Sequence, residues 1–297
     1  MILQEFKRCW KSKLNIVIVA LMSIPIYSAL ADELYHVNEK RHILETAAAW
    51  GEDISYNIIQ LEGMNGLFHF EQLFMLHTGF LFFAFVIFVI GAGINVSGSL
   101  FSSLKTSYGI NIVTRTTYNS YLRKTIFAQF LYMVTFLLAF FLVVFIVNLF
   151  LFGGPFQTPG GSRLTFQGEL ATSLYLLILL AFVLYAVICK ALLILVASLS
   201  FVFLKNKYII QFAPVAFFVG VYIFAFFVWN LGTVFQNIAS ALMYEHYQYA
   251  FTNLFRMNHD NRTIDIFRAF FYPLFLFVIF IIFYILNAKK FSRNYLK

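Results

Sequence analysis

Residues 126–152 read IFAQFLYMVTFLLAFFLVVFIVNLFLF, a stretch without one charged side chain. As a helix rising 1.5 Å per residue it is about 40 Å long, more than the roughly 30 Å hydrocarbon core of a bilayer. Outward from it, residues 14–31, 73–94, 170–204, 208–231 and 269–287 have the same character. The spacing predicts an all-α integral membrane protein of six transmembrane helices, with residues 1–297 forming one transmembrane domain. Composition agrees: 61% of the chain is apolar, 20% aromatic and only 11% charged, with mean hydropathy +0.81. Disordered, collagen-like and disulfide-scaffold classes are excluded. Cys9 and Cys189 read as small apolar fillers, since neither has a neighbour that would hold a thiolate.

Topology follows from charge. With the N-terminus inside, the inner segments carry fourteen Lys and Arg against one acid, Glu5, and the outer segments carry six against twelve acids. This positive-inside segregation requires six spans with both termini cytoplasmic, placing the chain as a multi-pass protein of a cell membrane, read as bacterial. The net charge of +8 therefore reports topology and anionic lipid, with no call for nucleic acid. The first span also has a signal-peptide outline, basic residues before an apolar core ending Ala29-Leu30-Ala31; an uncleaved span is the reading adopted.

Between the spans, residues 1–13 place Ile2, Leu3, Phe6, Cys9 and Trp10 at helical spacing opposite Lys7, Arg8 and Lys11, the pattern of an interfacial helix. Residues 32–71 are expected to form a small external cap. In the inner segment 97–123, Leu100, Phe101, Leu104 and Tyr108 recur every three to four residues, so a short amphipathic helix is expected there, ended by Gly109. Its apolar face suits a lipid surface or a groove on a soluble partner. Gly153-Gly154-Pro155 and Pro159-Gly160-Gly161 mark an external loop of tight turns, and residues 232–268 suit short helices in the outer interface.

Catalytic signatures are missing from the sequence. There is no G-x-x-x-x-G-K-[ST] loop to cradle a nucleotide, no H-E-x-x-H and no G-x-S-x-G, so the chain reads as a non-enzyme without catalytic, cofactor or metal residues. The six histidines fall in outer segments and offer no compact ligand pair. All thirteen acids lie in loops or at span edges, which speaks against an ion-coupled carrier with a midplane carboxylate. The polar residues within spans that remain as pathway candidates are Asn148, Lys190, Gln211 and Asn230. Lys190 lies about 31 Å along its span from Glu169, so snorkelling to the inner headgroups is the expected role, with a substrate contact as the alternative.

The inner segment FSSLKTSYGINIVTRTTYNSYLRKTIF, residues 101–127, resembles the coupling region of type-2 ATP-binding-cassette exporter permeases. On that likeness Gly109 takes the glycine position, Ile110 to Val113 the apolar segment, Thr114 and Arg115 the turn, and Lys124 the basic residue opening span three. Lys105 stands where that family carries an acid, and Thr116 where it carries proline. The resemblance implies a permease subunit whose Leu100, Phe101, Leu104, Tyr108, Gly109 and Arg115 contact a separate P-loop ATPase subunit, which holds ATP and magnesium. A second permease chain, identical or different, would complete the pore, and membrane lipids surround it. The Phe-rich spans fit an amphiphilic cargo: a hydrophobic peptide, such as an antimicrobial peptide, an antibiotic or a lipid. Two other readings stay open: an ion-coupled secondary transporter, and a membrane-embedded sensor or immunity protein whose external cap binds ligand.

Overall fold

The computed structural model describes residues 2–51, 65–75, 77–105, 117–153, 172–202, 206–243 and 262–295. Every regular element among them is helical: α1 (Ile2–Trp10), α2 (Leu14–Ala49), α3 (Gly66–Met75), α4 (Thr78–Lys105), α5 (Tyr118–Phe152), α6 (Thr172–Ser198), α7 (Lys207–Trp229), α8 (Thr233–Leu242) and α9 (Arg262–Tyr295). A 3₁₀ turn, Leu199–Val202, closes α6. Six of these helices, α2, α4, α5, α6, α7 and α9, are long and apolar enough to cross a membrane.

Burial ranks these helices from centre to rim. In α6, 61% of the apolar window is buried inside the chain, against 17% in α9. α6 packs on α4, α5, α7 and α9, while α4 also receives α2. Outward faces carry bare hydrocarbon, with Phe150 85% and Ile16 74% exposed. In water this surface would aggregate, whereas in lipid it costs nothing.

Close approach to α4 depends on small residues. A Cβ on Gly93 would lie 2.8 Å from Pro214 of α7, and one on Gly91 would overlap the Ile18 side chain of α2. Lipid tails supply no hydrophobic drive for helices to associate, so backbone contact through glycine contributes dispersion energy that a bulkier residue forfeits.

Helix ends depart from the expected boundaries wherever stop signals are weak. Residues 32–49 are not a separate cap. They continue the first span, making α2 a helix about 54 Å long that ends only near Gly51, whose φ is +83°. The reason is local: this segment has no Gly or Pro and is rich in Ala, Glu and Leu, all good helix formers. α3, at the far end of the expected cap, is a second helix packed on α5 and α4. Span two starts at Thr78 rather than residue 73, after a break at which the His77 N–H bonds the Gln72 carbonyl.

The two ends of the expected 97–123 coupling region are likewise continuations of spans. α4 runs unbroken to Lys105 and α5 begins at Tyr118; Gly98, inside α4, lies close against Gln211, while Gly109, expected to end the coupling helix, lies outside the described residues. α6 is shorter than the expected 170–204 and tightens into its 3₁₀ turn. α9 overruns 269–287 at both ends, while α7 starts at Lys207, next to Asn206, whose side chain accepts the Tyr208 N–H. The expected short helix after span five is present as α8, packed on α7 and α9. The tight-turn loop 154–161 lies outside the described residues.

Candidate functional site

Polar chemistry gathers at the basic end of the bundle, where α1 docks against α5 and α4. Asn15, opening α2, donates from Nδ2 to the carbonyls of Cys9 at 3.0 Å and Trp10 at 2.9 Å, clamping the last turn of α1. Its Oδ1 accepts the Tyr132 hydroxyl at 2.6 Å. Asn95 of α4 donates to the same Cys9 carbonyl and to the Tyr132 oxygen, each at 3.2 Å. Trp10 adds edge-on ring contacts to Tyr132 and Phe136, with centroids 6.2 and 6.0 Å away.

One turn further along α4, Arg8 donates to the Ser99 hydroxyl and pairs with Glu5 at 2.6 Å. Ser99 also accepts from Gln129 of α5 at 3.3 Å, and buried Ser97 shares a 2.7 Å hydrogen bond with Ser198 of α6. Each bond leaves fewer polar groups facing hydrocarbon, and each ties α1 or a neighbouring span to the last turns of α4. Burial raises the Glu5 carboxyl above its ordinary value, and the Arg8 charge offsets only part of that shift. The Cys9 thiol is pushed up to about 11, mainly by burial and against the pull of Arg8, so it is an inert thiol.

The clamp has a direct readout. Asn15→Ala is expected to raise the rate of maleimide reaction at Cys9 at least about tenfold, since loss of roughly 1.4 kcal/mol of docking multiplies the open fraction by ten. Cys189, fully buried in the bundle, supplies the unreactive baseline. An unchanged rate would mean that these bonds do not hold α1.

The residues expected to couple to a partner divide between described and undescribed parts of the chain. Leu100 is fully buried in the core and Phe101 packs against it, so neither forms a free apolar face. Leu104 lies in the last turn of α4 with its side chain outside the described residues, as are Tyr108, Gly109 and Arg115.

The four pathway candidates do not line a common wall. Asn148 is buried where α5 meets Gly66 of α3, donating to the Val144 carbonyl at 2.9 Å. Gln211 covers Gly98 near the basic end, and exposed Asn230 closes α7 by donating to the Phe226 carbonyl at 2.8 Å. Lys190 does not snorkel. Its side chain is fully buried, with Nζ 5.2 Å from the ring centroids of Phe85 on α4 and Phe218 on α7. α6 aims it across the centre of the bundle, where ring faces supply the negative potential that headgroups would have supplied.

At the acidic end the structure assembles a cluster that residue spacing does not reveal. The Glu33 carboxylate of α2 lies 2.9 Å from His77 Nε2 and 3.4 Å from His69 Nδ1 of α3. The His69 ring stacks on Phe152 with centroids 3.8 Å apart, and Glu71 accepts the Tyr175 hydroxyl of α6 at 2.7 Å. Among the described residues no group of three or more side chains is arranged to hold a metal ion. The cluster instead fastens α3 and the head of α4 to the extended part of α2. Glu33→Ala is expected to cost about 1–3 kcal/mol, the desolvation penalty of buried partners left unpaired. Thermal unfolding in detergent checks this, and an unchanged midpoint would contradict it.

Six helices long and apolar enough to cross a bilayer, among the described residues, define a multi-pass helical membrane protein. Comparison with protein-family models, curated proteins and solved structures returns no match.

Proposed function

We propose that the chain is the membrane-spanning subunit of an ATP-driven exporter, moving an amphiphilic molecule outward with energy supplied by a separate P-loop ATPase at its basic, cytoplasmic face. Two such chains, identical or different, enclose the pathway. The observation that carries this reading is the clamp on α1: Arg8, Asn15 and Asn95 join the N-terminal helix to α4 just before the 98–109 segment. A push delivered there is transmitted to α2, α4 and α5 together, because one set of bonds joins all three. The missing nucleotide loop requires the motor to be another polypeptide. Lys105, Arg115, Arg123 and Lys124 give that face the charge to attract an acidic partner surface.

One observation favours an ion-coupled carrier instead: Glu33 stands against two histidines at the acidic end, a negative charge that a cation would be drawn to. A coupling variant separates the two. Gly109→Pro is expected to lower substrate transport at least about tenfold while ATP hydrolysis by the associated ATPase persists. Transport at the wild-type rate in that variant would remove the coupling segment from the mechanism.

A further inference from the structure

A lateral groove opens between α5, α6 and α9. Its volume is about 450 Å³, within the range of small-molecule sites, and its walls are almost wholly apolar, among them Phe130, Leu192, Phe277 and Tyr284. At its basic end it shares Arg123 and Phe127 with a smaller recess of about 290 Å³ that also contains Lys124 and Ser120. Arg123 and Lys124 are exposed on the first turns of α5. The two spaces adjoin at Arg123 and Phe127, which sets a cationic mouth beside an aromatic trough. Seven residues separate Arg123 from Phe130, so the trough descends about 10 Å along α5 below the charges.

We infer that this groove binds one anionic phospholipid of the inner leaflet, its phosphate held by Arg123 and Lys124 and an acyl chain laid along Phe127, Phe130 and Phe277. Basic pockets between helices at the cytoplasmic face select acidic headgroups, because a guanidinium and an ammonium side by side gain more from an anionic phosphate lipid than from a net-neutral zwitterion. A soluble anion would satisfy the mouth and leave the trough empty. A second copy of this chain offers poor complementarity, since the one acid assigned to that face, Glu5, is buried and paired with Arg8. The site owes nothing to the ATPase reading; it depends only on the charge-derived sidedness.

The full-length chain, reconstituted in nanodiscs of phosphatidylcholine with or without phosphatidylglycerol, provides the test. After a detergent wash, native mass spectrometry is expected to find phosphatidylglycerol retained at about one per chain and enriched at least tenfold over phosphatidylcholine. Arg123→Gln combined with Lys124→Gln is expected to abolish that enrichment. Equal retention of the two lipids, or enrichment undiminished in the double variant, would overturn the site. A second probe leaves both charges in place. With Trp at position 277 (Phe277→Trp), brominated phosphatidylglycerol is expected to quench the added fluorescence several-fold more than brominated phosphatidylcholine. Equal quenching, or none from either because a protein surface covers the groove, would overturn it as well.

Discussion

Leucine in place of Gly93 is expected to lower the thermal midpoint of the detergent-solubilised chain by about 6–12 °C, on a cost of about 3 kcal/mol and the 2–4 °C per kcal/mol typical of larger domains. The mechanism is overpacking at a backbone contact. A Cβ at 93 already stands 2.8 and 2.9 Å from two ring carbons of Pro214, and the pyrrolidine ring cannot rotate away. α7 must then move off α4, which separates Phe218 from Phe82, whose rings lie 5.6 Å apart, and weakens the seat of Lys190. Gly220, also in α7, is the matched control. A Cβ there meets nothing within 4 Å, so Gly220→Leu is expected to leave the midpoint unchanged or raise it slightly through better helix propensity. Equal midpoints for the two variants would show that α4 and α7 do not meet at Gly93.

The second large effect is charge reversal at Lys190. Lys190→Glu is expected to cost on the order of 3–5 kcal/mol, as for an uncompensated charge in a closed interior, and to leave little folded protein in the membrane. Two aromatic faces, 5.2 Å from the ammonium, attract a cation and repel a carboxylate. Lys190→Met keeps the volume, removes the charge and is expected to unfold within about 1 kcal/mol of the native chain, since an isosteric apolar exchange in a packed core is tolerated. Expression and midpoint of the pair decide the matter. If Lys190→Glu folds as well as Lys190→Met, the side chain faces water.

The six spans were legible because hydropathy is a local property: a run such as residues 126–152 cannot be soluble whatever its neighbours are. Helix ends were less legible. A boundary depends on a stop signal, and between Asp32 and Ala49 there is none, so the first part of a predicted cap became about 27 further ångströms of α2. The docking site beneath α1 was half visible. Residues 1–13 announced an amphipathic helix, but what it docks on is set by Asn15, Asn95 and Tyr132, which lie on three helices up to 117 positions apart. Polar residues at span edges were the available signal, and Asn95 carried it. Glu33 and its two histidines were invisible for the same reason: a 44-residue separation from His77 becomes contact only when α2 and α4 stand side by side. Lys190 failed the snorkelling expectation because distance along one helix takes no account of the two rings facing it.

Isolating the tagged chain from its native membrane in mild detergent, with mass spectrometry of what accompanies it and transport measured in vesicles, bears most directly on the proposed role. A P-loop ATPase present in equal number, and transport that stops without ATP, are the predicted results. A chain that purifies alone and moves its substrate on an ion gradient would contradict the account.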